Sequence, residues 1–507
     1  FLADFYHTRV TVRLRQPLPE DAVIRVTYGA GPEMVRVQSF EDPRMRFKVY
    51  VDAVGTGEFR EIDQHPVLRI VAAHASRIEA VIPSTVVVGE SVRVGIRVKD
   101  RYNNLAASYR GSVGIVSDTK VKGLPDLVAF GEGDGGIIII SDVRFLEPGV
   151  ARISLKGDGG LAGTSNPVWV FPEEPERRIY WAELHGHTEE ISDGRGTVDE
   201  YFTFGRDKAL LDVCAQGDHL DGRSFAEWEI MRRKADEYYD PDRYVTLLGY
   251  EYSNPYGDKN VYFRTSDVDL VPVSSPAEFE EAYENVPGLL IPHMTGYPVG
   301  QRGNDWNLHD PEVERLVEVY SCHGNSEALG RPRPLGRMAF EGTVEAALRR
   351  GYKLGFIGGS DEHDGHPGDT PIDGGCLKCQ GGLAAIMACE LTRETVFDAL
   401  WDRMCYATTT ARILLDFRID GVPNGREYRL PVGSRKIRLT ARVSAVGPIE
   451  SIEVIKNSDV FARYEEHSMD VELELEDEPA GPVDYYYVRL VQKDTEMAWS
   501  SPIWVLR

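Results

Sequence analysis

The chain has 507 residues, 42% of them apolar, and a formal net charge of −24. That length exceeds one ordinary hydrophobic core and predicts about three or four domains. The acidic balance repels phosphate backbones over long range and argues against nucleic acid as a partner, while a local basic pocket could still take a small anion.

The chain opens on "FLADFYHTRV", which lacks a charged region followed by an apolar core. No signal peptide is visible in it, which favours a cytoplasmic location while leaving the location open. No run of about 18 apolar residues occurs, so no membrane span is expected. Residues 1–73 alternate apolar and polar side chains in "TRVTVRL", "AVIRVTYG" and "RFKVYVDA". This period predicts an N-terminal β domain of antiparallel strands. Residues 76–172 repeat the pattern in "STVVVGESVRVGIRVKD" and "GVARISLKG", at a spacing that suggests an immunoglobulin-like β-sandwich. "FPEEPERR" at 171–178, with two prolines and several charges, reads as a boundary.

From 179 to 411 the pattern changes. Strand-like runs "RIYWAEL", "ALLDVCAQ", "YVTLLGY", "NVYFRT", "GLLIP", "RLVEVYS", "KLGFIGG" and "GLAAIMA" are interspersed with the helix-like "FAEWEIMRRKADEYY" and "TVEAALRRG". After the last strand, "LTRETVFDALWDRM" has helical spacing, with Thr392 placed as its N-cap. Repeated alternation of this kind predicts an α/β domain, a barrel or an open sheet. Residues 412–507 return to alternation and predict a C-terminal β-sandwich. The fold class expected is therefore multidomain, α/β plus all-β.

Six cysteines, Cys214, Cys322, Cys376, Cys379, Cys389 and Cys405, all lie in the middle of the chain. A disulfide-stapled secreted protein spreads them through its small domains, so most read as buried reduced thiols. Cys376 and Cys379 form one C-x-x-C. Two thiolates fall short of a complete zinc set, which favours a loop pair over a metal site.

The chemistry concentrates in the central region, which holds His185, His187, His219, His293, His309, His323, His363 and His366 of the twelve histidines. His185 and His187 follow the first strand, Asp218 and His219 the second, and Glu251 the third. His293, His323, and Asp361 with His363 follow three later ones. In α/β folds the C-terminal strand ends share one face, so distant residues converge there. Imidazole and carboxylate together suit Zn, Mn or Fe. The ligands exceed what one tetrahedral ion uses, so two or three divalent ions are expected. His309, in polar "NDWNLHD", reads as a surface residue.

The motifs "ELHGHTEEISDG", "GDH", "GYEYS", "IPH" and "GGSDEH" resemble, in order, those of the polymerase-and-histidinol-phosphatase (PHP) metallohydrolases. "EVYSCHGNSE", "GGSDEHDGHPG" and "LTRETVFDALWDRMCYATT" further resemble an uncharacterised PHP-like group, DUF3604. The resemblance covers about 179–507. It implies a distorted (β/α)7 barrel with up to three metals. His185, His187, Glu251 and Asp361 would hold one. Glu251 would bridge to a second, shared with His293. Asp193, His219 and His363 would hold a third. The family pattern has one more histidine between the Glu and "IPH". Related sequences read G-H-x-N-V where this chain reads "GDKNV", so either Asp258 replaces that ligand or the second metal is weak or absent.

His323 is a candidate general acid, or a residue that orients a ligand. Arg195, Arg302, Arg331 and Arg333 lie in loops near the strand-end face, and at least one is expected to touch an anionic substrate through its planar fork. His366 joins Arg195, Arg302 and Arg331 as a substrate-binding candidate. The function expected is hydrolysis of a small phosphoester, with Glu251 and His323 central to it. Hydrolysis of another ester, a sulfate ester or an amide is the enzymatic alternative. A glycan- or protein-binding protein with a degenerate barrel is the non-enzymatic one.

Overall fold

The computed structural model describes residues 3, 4, 7, 8, 11–14, 16, 18, 19, 21–27, 37–220, 225–254, 256–372, 379–465 and 467–507. The chain divides into two compact units, Phe1–Val71 and Ala72–Arg507. In the first, Asp42–Arg46 pairs antiparallel with Val67–Ile70, and Tyr50–Val51 with Arg60–Glu61. Against expectation, residues 11–14 and 22–27 are not strands. Val12, Leu14, Val23, Ile24 and Val26 are exposed there. Alternation makes a strand only where a partner and a covered face exist.

The second unit begins with two four-stranded antiparallel sheets. One contains Ala75–Val81, Val92–Asp100, Ile137–Phe145 and Val121–Lys122. The other contains Leu127–Phe130, Gly111–Ser117, Ile153–Gly157 and Ala162–Thr164. Period-two alternation turns Val94, Ile96 and Val98 toward Val113, Ile115, Ile153 and Leu155 in one contiguous core.

All eight strands expected between 178 and 388 form, and so do the three helices, Phe225–Glu237, Val344–Arg349 and Arg393–Trp401. The Thr392 side chain accepts from the Thr395 N–H and caps the last of them. The pairing is mixed in direction. Arg178–Glu183, Val213–Ala215 and Val245–Tyr252 are parallel. Lys259–Phe263 and Gly288–Pro292 then add antiparallel on one side, and Gly382–Ala388 and Cys405–Thr409 antiparallel on the other. Leu316–Ser321 and Gly355–Gly358 pair parallel in a separate three-stranded sheet. The result is a strand-dominated, mixed system, and a uniformly parallel (β/α)7 barrel is not seen among the described residues. One cause is local: only residues 253–258 separate two of the strands, and a parallel return needs a crossover of about a dozen residues or more.

The main sheet continues past residue 411. Cys405–Thr409 pairs with Met497–Ser500, which leads on to Val483–Gln492, Ile449–Lys456 and Asp459–Tyr464. Trp181, Tyr406, Phe417, Val454 and Val488 accordingly share one core. Among the described residues no helix is long and apolar enough to cross a membrane. Cys214, Cys322 and Cys405 are buried free thiols and Cys389 is exposed. The C-x-x-C lies partly outside the described residues, at Cys376.

Candidate metal centre

Strand ends deliver the site. His185 and His187 follow Arg178–Glu183, His219 follows Val213–Ala215, and Glu251 lies near the end of Val245–Tyr252. His293 follows Gly288–Pro292, and Asp361 follows Gly355–Gly358. Parallel bridges between Gly186 and Glu362 and between His219 and Glu251 knit the loops together. Gly186 is required by space. A Cβ there would lie 2.6 Å from the Tyr201 hydroxyl. Asp361 sits at φ +54°, a left-handed conformation that costs free energy in a non-glycine residue and clusters at functional sites.

Four buried side chains form a cage. His185 Nε2 lies 3.4 Å from Glu251 Oε2 and 3.6 Å from Asp361 Oδ1. His187 Nε2 lies 3.5 Å and 3.2 Å from the same two oxygens. Ligand atoms around a tetrahedral ion with bonds of about 2.1 Å sit about 3.4 Å apart. The four imidazole-to-carboxylate spacings match that distance. A second group adjoins it: Asp193 Oδ1 is 3.7 Å from His187 Nδ1 and 3.3 Å from His363 Nε2, and the ligand atoms of His187, Asp193, His219 and His363 all lie within 4.8 Å of one another. His219 Nδ1 also lies 3.3 Å from Glu251 Oε2, so three imidazoles converge on one oxygen. A third corner, Glu251, Asp258 and His293, meets the same limit of 4.8 Å.

The surrounding chain holds these ligands. Glu318 Oε2 is 3.0 Å from His185 Nδ1, which leaves Nε2 facing the cage. Glu183 accepts from the backbone N–H of both His185 and Ser360, at 2.9 and 3.0 Å, and joins the two ligand loops. Burial pushes its carboxyl up to about 7. Asp218 accepts from the Thr188 N–H and the Ser192 hydroxyl, at 2.7 and 2.6 Å. Glu362 accepts from the backbone N–H of Asp364 and His366. Sequence reasoning missed Glu183, Glu318 and Glu362. The available signal was a carboxylate inside the otherwise apolar strands "YWAEL" and "LVEVY", since a buried charge persists only with partners.

The remaining candidates fall in different places. His323 joins the centre, with Nε2 3.0 Å from Asp361 Oδ2 and Nδ1 3.3 Å from the Tyr297 hydroxyl. Arg302 joins it too, donating from Nε to Asp258 Oδ2 at 2.6 Å. Arg195 donates to the Gly194 carbonyl, and its backbone abuts the Gly365 loop. Arg331 exerts its charge on Glu453 of the C-terminal strands, and Arg333 is tied to Glu496 and Tyr320. His366 packs edge-on against Phe204 at 4.7 Å, and burial pushes it down to about 4. His309 is not a surface residue. Its side chain is 1% exposed and bonds Glu314 at 3.0 Å, because the apparently polar segment folds onto Trp306 and Tyr352.

The donor set fits divalent cations. Glu251, Asp361 and Glu318 are buried, and their close ion-pair partners among the described residues are imidazoles. Burial opposes charge on His185, but Glu318 and Asp361 hold its pKa well above the usual value. His187 instead is pushed down to about 3 by burial and the His363 charge. Both His187 ring nitrogens, and Nδ1 of His219 and His293, are buried without a hydrogen-bond partner. Buried orphan polar atoms are costly, and a cation would use their lone pairs and offset the carboxylate charge.

Comparisons with known proteins give relatives without established roles. Over 95% of its length the chain is 28% identical to an uncharacterized protein of Chlamydia pneumoniae, covering 83% of that protein. Over 92% it is 27% identical to an uncharacterized protein of Chlamydia trachomatis, covering 80%. No family model matches. Among solved structures, a two-domain protein of Bacteroides vulgatus containing a predicted PHP-like metal-dependent phosphoesterase is similar across 65% of this chain and 97% of that one. Its identity is 13% and its TM-score 0.37. At that score no residue role transfers.

Proposed function

We propose that this protein is a metal-dependent hydrolase that takes two or three divalent ions of the Zn, Mn or Fe class and acts on a small phosphoester. One observation carries the reading: the buried cage of His185, His187, Glu251 and Asp361, with imidazole-to-carboxylate spacings of 3.2–3.6 Å. The preference for phosphorus rests on the resemblance of the motifs to PHP enzymes of the DUF3604-like group. Bound divalent ions supply an acidified water and positive charge against the charge that develops at phosphorus.

The chain does the rest. His185 and His187 direct Nε2 into the cage, Asp193, His219 and His363 form the second group, and Glu251 spans both. His293 and Asp258 complete the third corner. His323, 12% exposed and 3.0 Å from Asp361, is placed to hand a proton to a leaving group entering from solvent. Arg302, and Arg195 beside the Gly365 loop, supply N–H donors for an anionic substrate. The flanking β segments buttress the centre. Arg97, Lys99 and Asn103 grip Asp369, and Tyr487, Arg489 and Trp499 grip Glu327.

The test is metal content by plasma mass spectrometry together with a phosphoester screen on the metal-loaded protein. Bound divalent metal and turnover, both lost in His185→Ala and His187→Ala, are the expected results. A chain that binds no divalent metal, with both variants behaving as wild type, sinks the proposal.

A further inference from the structure

We infer that Arg302 stands in for a metal ion at the Glu251–Asp258–His293 corner, so that the centre works with two ions and one fixed guanidinium. The inference rests on the metal-centre reading of the neighbouring residues.

Three observations converge on it. First, Asp258 is fully buried and both its oxygens are engaged. Oδ1 accepts the Asn254 N–H at 3.0 Å, and Oδ2 accepts Arg302 Nε at 2.6 Å. The next residue in the chain, Lys259, does not compete for it, because its ammonium turns to Glu314 and Asn304 at 2.5 and 2.7 Å. Arg302 is therefore the cation that offsets Asp258. Second, His293 Nε2 lies 2.6 Å from Glu251 Oε1. Two ligands of one ion sit about 3.0–3.4 Å apart for bonds of about 2.1 Å. The contact is a direct hydrogen bond, in contrast to the 3.2–3.6 Å spacings of the neighbouring cage.

Third, the loop that carries Arg302 is built to hold it. The backbone at Arg302 is left-handed, with φ +73°. The N–H groups of Gln301 and Gly303 both donate to the Pro298 carbonyl, at 2.9 and 3.2 Å. The Asp305 N–H then binds the Tyr256 carbonyl at 2.8 Å, which ties this loop to the one bearing Asp258. A non-glycine residue held in that conformation is strained and persists only where its surroundings impose it.

The chemistry is consistent with the geometry. A guanidinium stays charged at all working pH values, and its planar fork suits phosphate oxygens. With Nε spent on Asp258, the two terminal nitrogens make no hydrogen bond to another of the described residues. Arg302 thus neutralises the carboxylate, as an ion would, while still presenting donors to a substrate anion.

The test counts ions per chain on the full-length protein, by plasma mass spectrometry and by calorimetric titration with manganous ion. Wild type is expected to take two. Arg302→Gln is expected to take three, and the double variant Arg302→Gln with Asp258→Asn to return to two. A wild-type count other than two overturns the inference whether or not the variants fold. So does a folded Arg302→Gln that still takes two. A wild-type count of three refutes the inference and keeps the metal centre, whereas a count of zero removes both.

Discussion

Replacing Asp369 with alanine removes a carboxylate that two buried cations share. The Asp369, Lys99 and Arg97 side chains are 2%, 1% and 7% exposed, and Asp369 Oδ1 also accepts from Asn103 at 3.0 Å. Breaking a buried pair by deleting one partner costs about 3–5 kcal/mol, because a charge is left uncompensated. Glu79 remains close to both cations but is itself 27% exposed, which places the expected loss near the lower end, about 3 kcal/mol. The thermal midpoint should fall by about 3 °C, since the unfolding entropy of a unit this large spreads the loss over few degrees. The segment from Asp361 to Asp369 also carries His363, so manganous-ion affinity should drop roughly tenfold, as when a supporting contact of a metal ligand is lost. Calorimetric unfolding and competition with a chelator measure the two effects. Replacing Lys99 as well, in Lys99→Met with Asp369→Leu, should recover part of the stability, since the lysine no longer sits buried without its carboxylate and Arg97 keeps Glu79. A single-variant loss below about 1 kcal/mol with unchanged ion affinity would refute the reasoning.

Glu318→Gln should weaken metal binding about 10–100-fold while leaving the fold intact, because His185 loses the carboxylate that directs its Nε2; chelator competition reads the change. Chelation of wild type should lower the thermal midpoint, by the equivalent of about 2.7 kcal/mol when measured against protein at a metal concentration of 100 times Kd. Gly186→Ala should cost about 1–3 kcal/mol and impair metal loading, since its Cβ would meet the Tyr201 hydroxyl at 2.6 Å; an unfolding curve indistinguishable from wild type contradicts this. Burial pushes Asp212 up to about 6. A raised folded-state pKa gives stability that is present below about pH 4 and lost as pH rises through 6, so Asp212→Asn should gain about 3 kcal/mol on wild type between about pH 4 and pH 7. Paired thermal midpoints at the two pH values measure it.

Much of the site was legible because its signals are local. Imidazoles and carboxylates placed just after apolar runs marked His185, His187, His219, Glu251, His293 and Asp361, and these now line the clusters. Strand candidates from 178 to 388 were legible for the same reason: apolar runs bounded by turn residues depend on a few neighbours. The N-terminal alternation misled, since period two states which side chains could share a face and not whether a partner strand exists. His309 misled because its polar neighbours hid a fold onto Trp306 and Tyr352.

Residue types and their order along the chain were thus enough to nominate the candidate metal ligands and most strands. For strands far apart in the chain the direction of pairing was not contained there, because it depends on which distant strand arrives alongside; short connections such as 253–258, or the two residues between Lys456 and Asp459, forced it locally. Long-range packing also decided which polar groups support the ligands, Glu183 and Glu318 among them. It separated Arg302, set against Asp258, from Arg331 and Arg333, which face the C-terminal strands. Ångström spacings between side chains far apart in the chain, such as His185 with Glu251 and Asp361, arise only when the whole sheet closes its register. Those spacings separate a cage that suits an ion from a corner that a guanidinium already fills.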